Sequence, residues 1–263
     1  MTRRVRVKRI AFVAIALAGI LFIGVELFLL SADVRVQCVS VLERTHSWDS
    51  LVGMLDDDSA DVRSSASTAL ARHGEASVPA LIRGFDRLPE RNRGLLAHTL
   101  GEIGSDARTA LPALKRVMLT DDSDSVRETA AHAVGRVGRT DPETVAELIG
   151  ALESGDVPSR IAAARAVFYL EADDRRRAVP LLARGLKHAD PFVRQESAEG
   201  LGNLALESRA AIPELLEALK DPVREVRAEA AEALGHITHA QGWDDAPLRA
   251  KVDAAISQGG SVP

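Results

Sequence analysis

Six arginines recur along the chain at a nearly fixed interval, and that interval constrains the fold more than any other feature. Arg63, Arg93, Arg127, Arg160, Arg194 and Arg227 are spaced 30, 34, 33, 34 and 33 residues apart. Seven residues after each arginine stands Leu70, Leu100, Val134, Val167, Leu201 or Leu234, and ten after stands His73, Ile103, Val137, Leu170, Leu204 or Ile237. Offsets of 3, 4, 7 and 10 mark one face of a helix. Small residues such as Ala130, Ala131 and Ala133 fill the turn between them, and Gly74, Gly104 and Gly138 follow three of these helices where a C-terminal cap belongs.

A second apolar stripe precedes each arginine. Pro79, Pro112, Pro180 and Pro213 are expected to open a helix there, because the first turn has no intrahelical acceptor for the missing N–H. Asp49 and Ala146 take that slot in the first and fourth units. Turns rich in aspartate (Asp56 to Asp58, Asp121, Asp122, Asp190, Asp221) join the two helices. The expected fold is all-α: a right-handed α-solenoid of about six helix–turn–helix repeats over residues 49–238. A cap helix over 31–48 is expected to bury Val34, Cys38, Val41 and Leu42. A last helix from Pro247 to Ile256, within 239–263, precedes a frayed tail.

The run Asp221 to Gly235, DPVREVRAEAAEALG, resembles the short bacterial HEAT repeat of the phycobilisome-lyase-like type, in the armadillo-like group of α-solenoids. Asp121 to Gly138 and Asp190 to Gly202 resemble it nearly as closely. Asn92-Arg93 and Ser159-Arg160 depart from the Val-Arg of that pattern. The resemblance implies a scaffold for protein partners, with an enzyme or a prosthetic-group accessory (a lyase or chaperone) as the alternative. Di-iron hydroxylases built on this repeat carry His-Glu pairs after the repeat arginine. Here those slots read Ser64-Ser65, Gly94-Leu95, Glu128-Thr129, Ile161-Ala162, Gln195-Glu196 and Ala228-Glu229. The expectation is therefore no enzyme, with no catalytic, cofactor-binding or metal-binding residues and no cofactor.

Charge bounds the partners. Five of the 33 basic residues and one of the 38 acidic residues lie in the first thirty positions, which leaves 28 against 37 and a net charge of −9 for the rest. Such a body is not expected to bind nucleic acid. Residues 10–30, IAFVAIALAGILFIGVELFLL, carry only Glu26 as a charge and follow the basic residues of 1–9. Twenty-one residues at about 1.5 Å each span about 31 Å, enough for a transmembrane helix. The positive-inside rule then places the N-terminus in the cytoplasm and the repeats outside, in a single-pass membrane protein. Signal cleavage and export of a soluble protein is the alternative. Ala14 and Ala18 would let two anchors self-associate weakly.

The repeat arginines have a structural use: Arg227 with Asp221, or Arg127 with Asp121, is expected to tie the turns of neighbouring units together by charge-assisted hydrogen bonds. A partner-binding face is expected on the concave side of the second helices. It comprises Glu196, Glu199, Glu229 and Glu232 in units five and six, His98, His132 and Arg165 before them, and Arg136 and Tyr169 one turn further on. That face is expected to be acidic toward the C-terminus and neutral to basic before it, and so to steer a basic segment of a protein or peptide.

Overall fold

A computed structural model describes residues 31–259. The basic N-terminus, the apolar segment 10–30 and residues 260–263 lie outside them. Among the described residues the secondary structure is helical throughout, with no strand. Two compact units divide the chain, Met1–Thr99 and Leu100–Pro263.

In the first unit, α1 (Ala32–Arg44) packs on α2 (Trp48–Gly53) and α3 (Ala60–Arg72), and α2 also packs on α4 (Val78–Arg87). The helix α5 (Glu90–Ile103) begins here. Leu51, Leu55, Leu70, Leu81 and Leu96 are fully buried, as the apolar stripes require. The cap helix α1 is rotated from its expected face. Arg35, Val39 and Leu42 are buried, whereas Val34, Cys38 and Val41 are only half-buried. The cause is Arg35, whose guanidinium reaches inward to Asp57 at 2.8 Å. The departure at Asn92 is also accommodated: the amide is buried and donates to Asp56 in the preceding turn.

The second unit contains α6 (Leu111–Thr120), α7 (Asp124–Val137), α8 (Pro142–Ser154), α9 (Val157–Ala166), α10 (Ala172–Gly185), α11 (Pro191–Asn203), α12 (Ile212–Ala218), α13 (Arg224–Thr238) and α14 (Ala246–Gly259). Each even-numbered helix from α6 to α12 packs on the helix that follows it, and α7, α9, α11 and α13 pack on one another in order. Helices in contact lie about 8–10 Å apart. Leu114, Leu170, Leu182, Leu201, Leu215 and Leu234 are fully buried between the two layers.

Helix starts follow local chemistry. Pro79, Pro112 and Pro213 stand in the first turn of α4, α6 and α12. Pro180 does not open a helix as expected; it lies inside α10, which begins eight residues earlier at Ala172. Nor does Ala146 open the fourth unit, since α8 begins at Pro142, with the Asp141 carboxylate accepting from the Thr144 N–H at 3.0 Å. Gly74 and Gly104 adopt φ of +52° and +68°, the left-handed region that glycine enters without a Cβ penalty. Gly138 does not, at φ −91°.

No helix among the described residues is long and apolar enough to cross a membrane. The longest, α13, has 15 residues, about 22 Å against a hydrocarbon core of about 30 Å. It also carries Arg224, Glu225, Arg227, Glu229 and Glu232. This overturns the expected single-pass topology with extracytoplasmic repeats; the segment 10–30 on which it rested lies outside the described residues.

Candidate functional site: the second-helix face

The repeat arginines are held by backbone more than by aspartate. A helix leaves its last carbonyls without intrahelical donors, and a guanidinium at the start of the next helix can satisfy them. Arg63 donates from Nη1 to the carbonyls of Asp57 and Asp58 at 2.8 and 3.0 Å. Arg127 donates to those of Asp121 and Asp122 at 2.7 and 3.2 Å, and Arg227 to those of Asp221 and Pro222 at 2.7 and 3.1 Å. Arg160 gathers Leu152, Glu153 and Gly155. Arg194 holds His188 and Ala189 and also spans to the next repeat, where the Asp221 carboxylate accepts from Nε at 2.7 Å. Arg35 makes the corresponding tie to Asp57 from the cap helix, although it stands outside the arginine series. The aspartate carboxylates close their own turns: Asp57 accepts from Ser59 N–H, Asp121 from Ser123 and Asp221 from Val223.

On the second helices of residues 100–263, one strip of polar side chains runs from α7 to α13. Glu128, His132 and Arg136 come from α7, Arg165 from α9, Tyr169 from the 3₁₀ turn after it, Glu196 and Glu199 from α11, and Glu229 and Glu232 from α13. Close approach of α7 to the end of α9 fixes one end of the strip. A Cβ on Gly135 would stand 2.3 Å from the Ala166 carbonyl oxygen. That approach lays the Tyr169 ring 5.4 Å from the His132 ring and 5.0 Å from the Arg136 guanidinium. Phe168, 41% exposed, stacks edge-on against Tyr169. His98 lies in the first unit as an exposed side chain of α5.

The charges on the strip differ from the expected division into acidic and basic halves. Arg165 donates to Glu196 at 2.9 and 2.5 Å and to Asp124 at 3.1 Å, so its charge is taken up. Arg136 pairs with Glu102. Burial pushes the His132 imidazole below its ordinary pKa, with Arg165 and Arg136 adding to the shift against Glu128. On the acidic side, Glu196 is buried, and that burial raises its pKa against the pull of Arg165. Glu199 and Glu229 are half-buried, and both carboxyls are pushed up, first by burial and then by neighbouring carboxylates. For Glu199 those neighbours are Glu229 and Glu128; for Glu229 they are Glu232 and Glu196. Glu128, Glu199, Glu229 and Glu232 have no lysine or arginine partner among the described residues. The strip is therefore acidic along its length. Glu128 and Phe168 are not among the face residues expected from sequence: Glu128, one residue after its repeat arginine, counts there only as a slot for a His-Glu pair, and an exposed aromatic after a helix has no periodic signal.

Beside the strip lies a cleft of about 330 Å³ between α6, the start of α7, and α9. Met118, Leu119, Val157, Pro158 and Ile161 give it an apolar lining, and Arg165 stands at both the cleft and the strip. Among the described residues no group of three His, Cys, Asp or Glu side chains is arranged to hold a metal.

Paired helices, with α7, α9, α11 and α13 packed on one another in order, define an all-helical repeat protein. The profile of HEAT repeats matches residues 78–167 and 158–235, and the chain belongs to the HEAT-repeat family. Solved structures with similar folds include the YibA protein of Escherichia coli, 20% identical over 80% of this chain and 92% of that one, with a TM-score of 0.48. The complex of CpcE and CpcF of phycocyanin lyase from Nostoc is 22% identical over 71% and 97%, with a TM-score of 0.41. Human deoxyhypusine hydroxylase in complex with glycerol is 24% identical over 85% and 98%, with a TM-score of 0.31. No curated protein matches the chain.

Proposed function

We propose that the chain is a non-catalytic HEAT-repeat scaffold that binds a protein or peptide partner on the second-helix face of residues 100–263. The observation that carries this reading is the strip itself. The four second helices α7, α9, α11 and α13 present polar side chains on one face, most of them half-buried or exposed, while their apolar faces are spent on the core. Repeat arginines that would otherwise compete for anionic ligands are engaged with backbone carbonyls. Stacked repeats suit extended partners because each repeat adds one helix to a continuous surface.

Photo-crosslinking residues placed at Tyr169 and Glu232, with Glu217 of α12 as a control on the other layer, test the proposal in cells. Discrete adducts from the first two positions only are expected. Equal adducts from all three would overturn the assigned face. Stoichiometric metal or a visible chromophore in the purified chain would overturn the non-catalytic reading.

A further inference from the structure

We infer that this face takes a cationic amphipathic segment of a partner protein, its Lys and Arg side chains along Glu128, Glu199, Glu229 and Glu232 and an apolar side chain in the cleft at Leu119, Val157, Pro158 and Ile161. The inference rests on the scaffold reading and adds the chemistry of the partner. Two independent observations support it.

The first is charge relieved only in part: Gln195 donates to the Glu229 carboxylate at 3.4 Å, and Asn203 and the already paired Arg165 face Glu199. Several carboxylates off the strip in the second unit find cations: Asp221 has Arg194, Glu207 has Arg175 and Glu171 has Arg139. On the strip, Glu199 and Glu229 are half-buried beside other carboxylates with no lysine or arginine partner. A partner cation would relieve both the repulsion and the loss of solvation. The second is the cleft. Leu119 is 40% exposed at its rim, and Val157 and Ile161 are half-buried within it. Its charged rim is already closed, because Asp124 accepts from both Arg127 and Arg165. The cleft therefore offers a visitor apolar contact. From α7 to α13 there are three helix spacings, about 30 Å in all, the length of about 20 helical residues.

The test uses the full chain and a fluorescein-labelled peptide of about 20 leucines and lysines patterned as an amphipathic helix. A second peptide carries Ser for Leu, and a third carries Glu for Lys. Anisotropy titrations at two salt concentrations should show binding of the Leu–Lys peptide that weakens with salt, and none of the Glu peptide. E128Q/E199Q/E229Q/E232Q should weaken binding about ten-fold and flatten its salt dependence, since four contacts of ordinary rim strength multiply to that. E143Q/E147Q/E153Q/E217Q changes the net charge equally on the other layer and should leave affinity within about two-fold. Leu119→Ser should weaken the Leu–Lys peptide about three-fold and leave the Ser–Lys peptide unchanged.

Equal losses in the two quadruple variants, or none in the first, would overturn the inference. So would a dimer of the chain that the first variant dissociates, because the face would then hold a second copy. If the first quadruple variant does not fold, Glu232→Lys at an exposed position replaces it, with the same outcomes read. Crosslinks from Tyr169 and Glu232 that persist while the peptide ignores the Gln variant would leave the scaffold standing and remove the cationic partner. Loss of both would remove both.

Discussion

Arg165 and Glu196, 31 residues apart, form a two-pronged pair in which the guanidinium is 11% exposed and the carboxylate 9%. Burial opposes the charge on Arg165, and the hydrogen bonds to Glu196 and Asp124 outweigh it, holding the guanidinium above its ordinary pKa. The pair joins α9 to α11, and through Asp124 it reaches back to α7. It takes up most of the charge of Arg165, which leaves Glu199 only the more distant pull of that guanidinium.

Arg165→Met leaves the Glu196 carboxylate buried beside no cation, which is expected to cost about 3 kcal/mol. Arg165→Met combined with Glu196→Leu should recover most of that, because the double variant buries no unpaired charge. Urea denaturation of the two variants measures the difference. An equal cost in both would mean that the pair is not desolvated.

Glu199 and Glu229 should add stability as pH falls from neutral toward the ordinary carboxylate range, whereas His132, held below its ordinary 6.5, should cost stability as pH falls through that value. Glu199 and Glu229 have folded pKa values above the ordinary 4.5, so just above that value the folded chain binds more protons than the unfolded one. The stability they supply then falls as pH rises through this window. Asp141 works in the opposite sense. Hydrogen bonds from Thr144 and Arg108 hold it at about 2, so its contribution is complete above the ordinary 3.8 and is lost as pH falls toward 2. Melting profiles against pH should therefore differ between variants: E199Q/E229Q should lose the carboxyl gain on mild acidification, H132Q should lose the opposing cost, and both should keep the acid limb.

Ala205 stands eleven residues after Arg194, where Gly74 and Gly104 follow Arg63 and Arg93, and it has the left-handed φ of +48°. A side chain there costs about 1–2 kcal/mol. Ala205→Gly should therefore stabilise the chain by about 1 kcal/mol after the entropy of the extra glycine is deducted. Gly104→Ala should cost a similar amount, because a Cβ there meets nothing within 4 Å and only the backbone is strained. Thermal melts of the two variants should move in opposite directions.

Leu201 and Leu234 are fully buried, and truncation of either to Ala should cost about 2–5 kcal/mol. Glu232 on the same helix as Leu234 is exposed, and Glu232→Ala should change stability by less than about 0.5 kcal/mol. Equal losses at Leu234 and Glu232 would contradict the packing of α13.

The paired helices were legible because each repeat carries its own local signals. The apolar offsets after each arginine, the proline at the first turn and the glycine after the last are read by residues within a few positions of one another. Pro180 escaped that logic. Ala172 to Arg177 already forms helix ahead of it, with Arg175 held by Glu207 from the next repeat, so the context of a neighbour overrode a local start signal. The membrane placement rested on residues 10–30, and the described helices supply none long and apolar enough to cross a membrane.

By itself the sequence determined the helical period, the buried leucines and the place of Arg136, Arg165, Glu196 and Glu229 on second helices. Only the tertiary structure decided which of those positions keep their charge. Whether Arg165 remains free depends on Glu196 in the next repeat and Asp124 in the previous one, and whether Arg136 does depends on Glu102. The physical reason is that a helix fixes its own face through contacts three and four residues apart, whereas ionisation and pairing depend on side chains more than thirty residues away that meet only when the repeats stack.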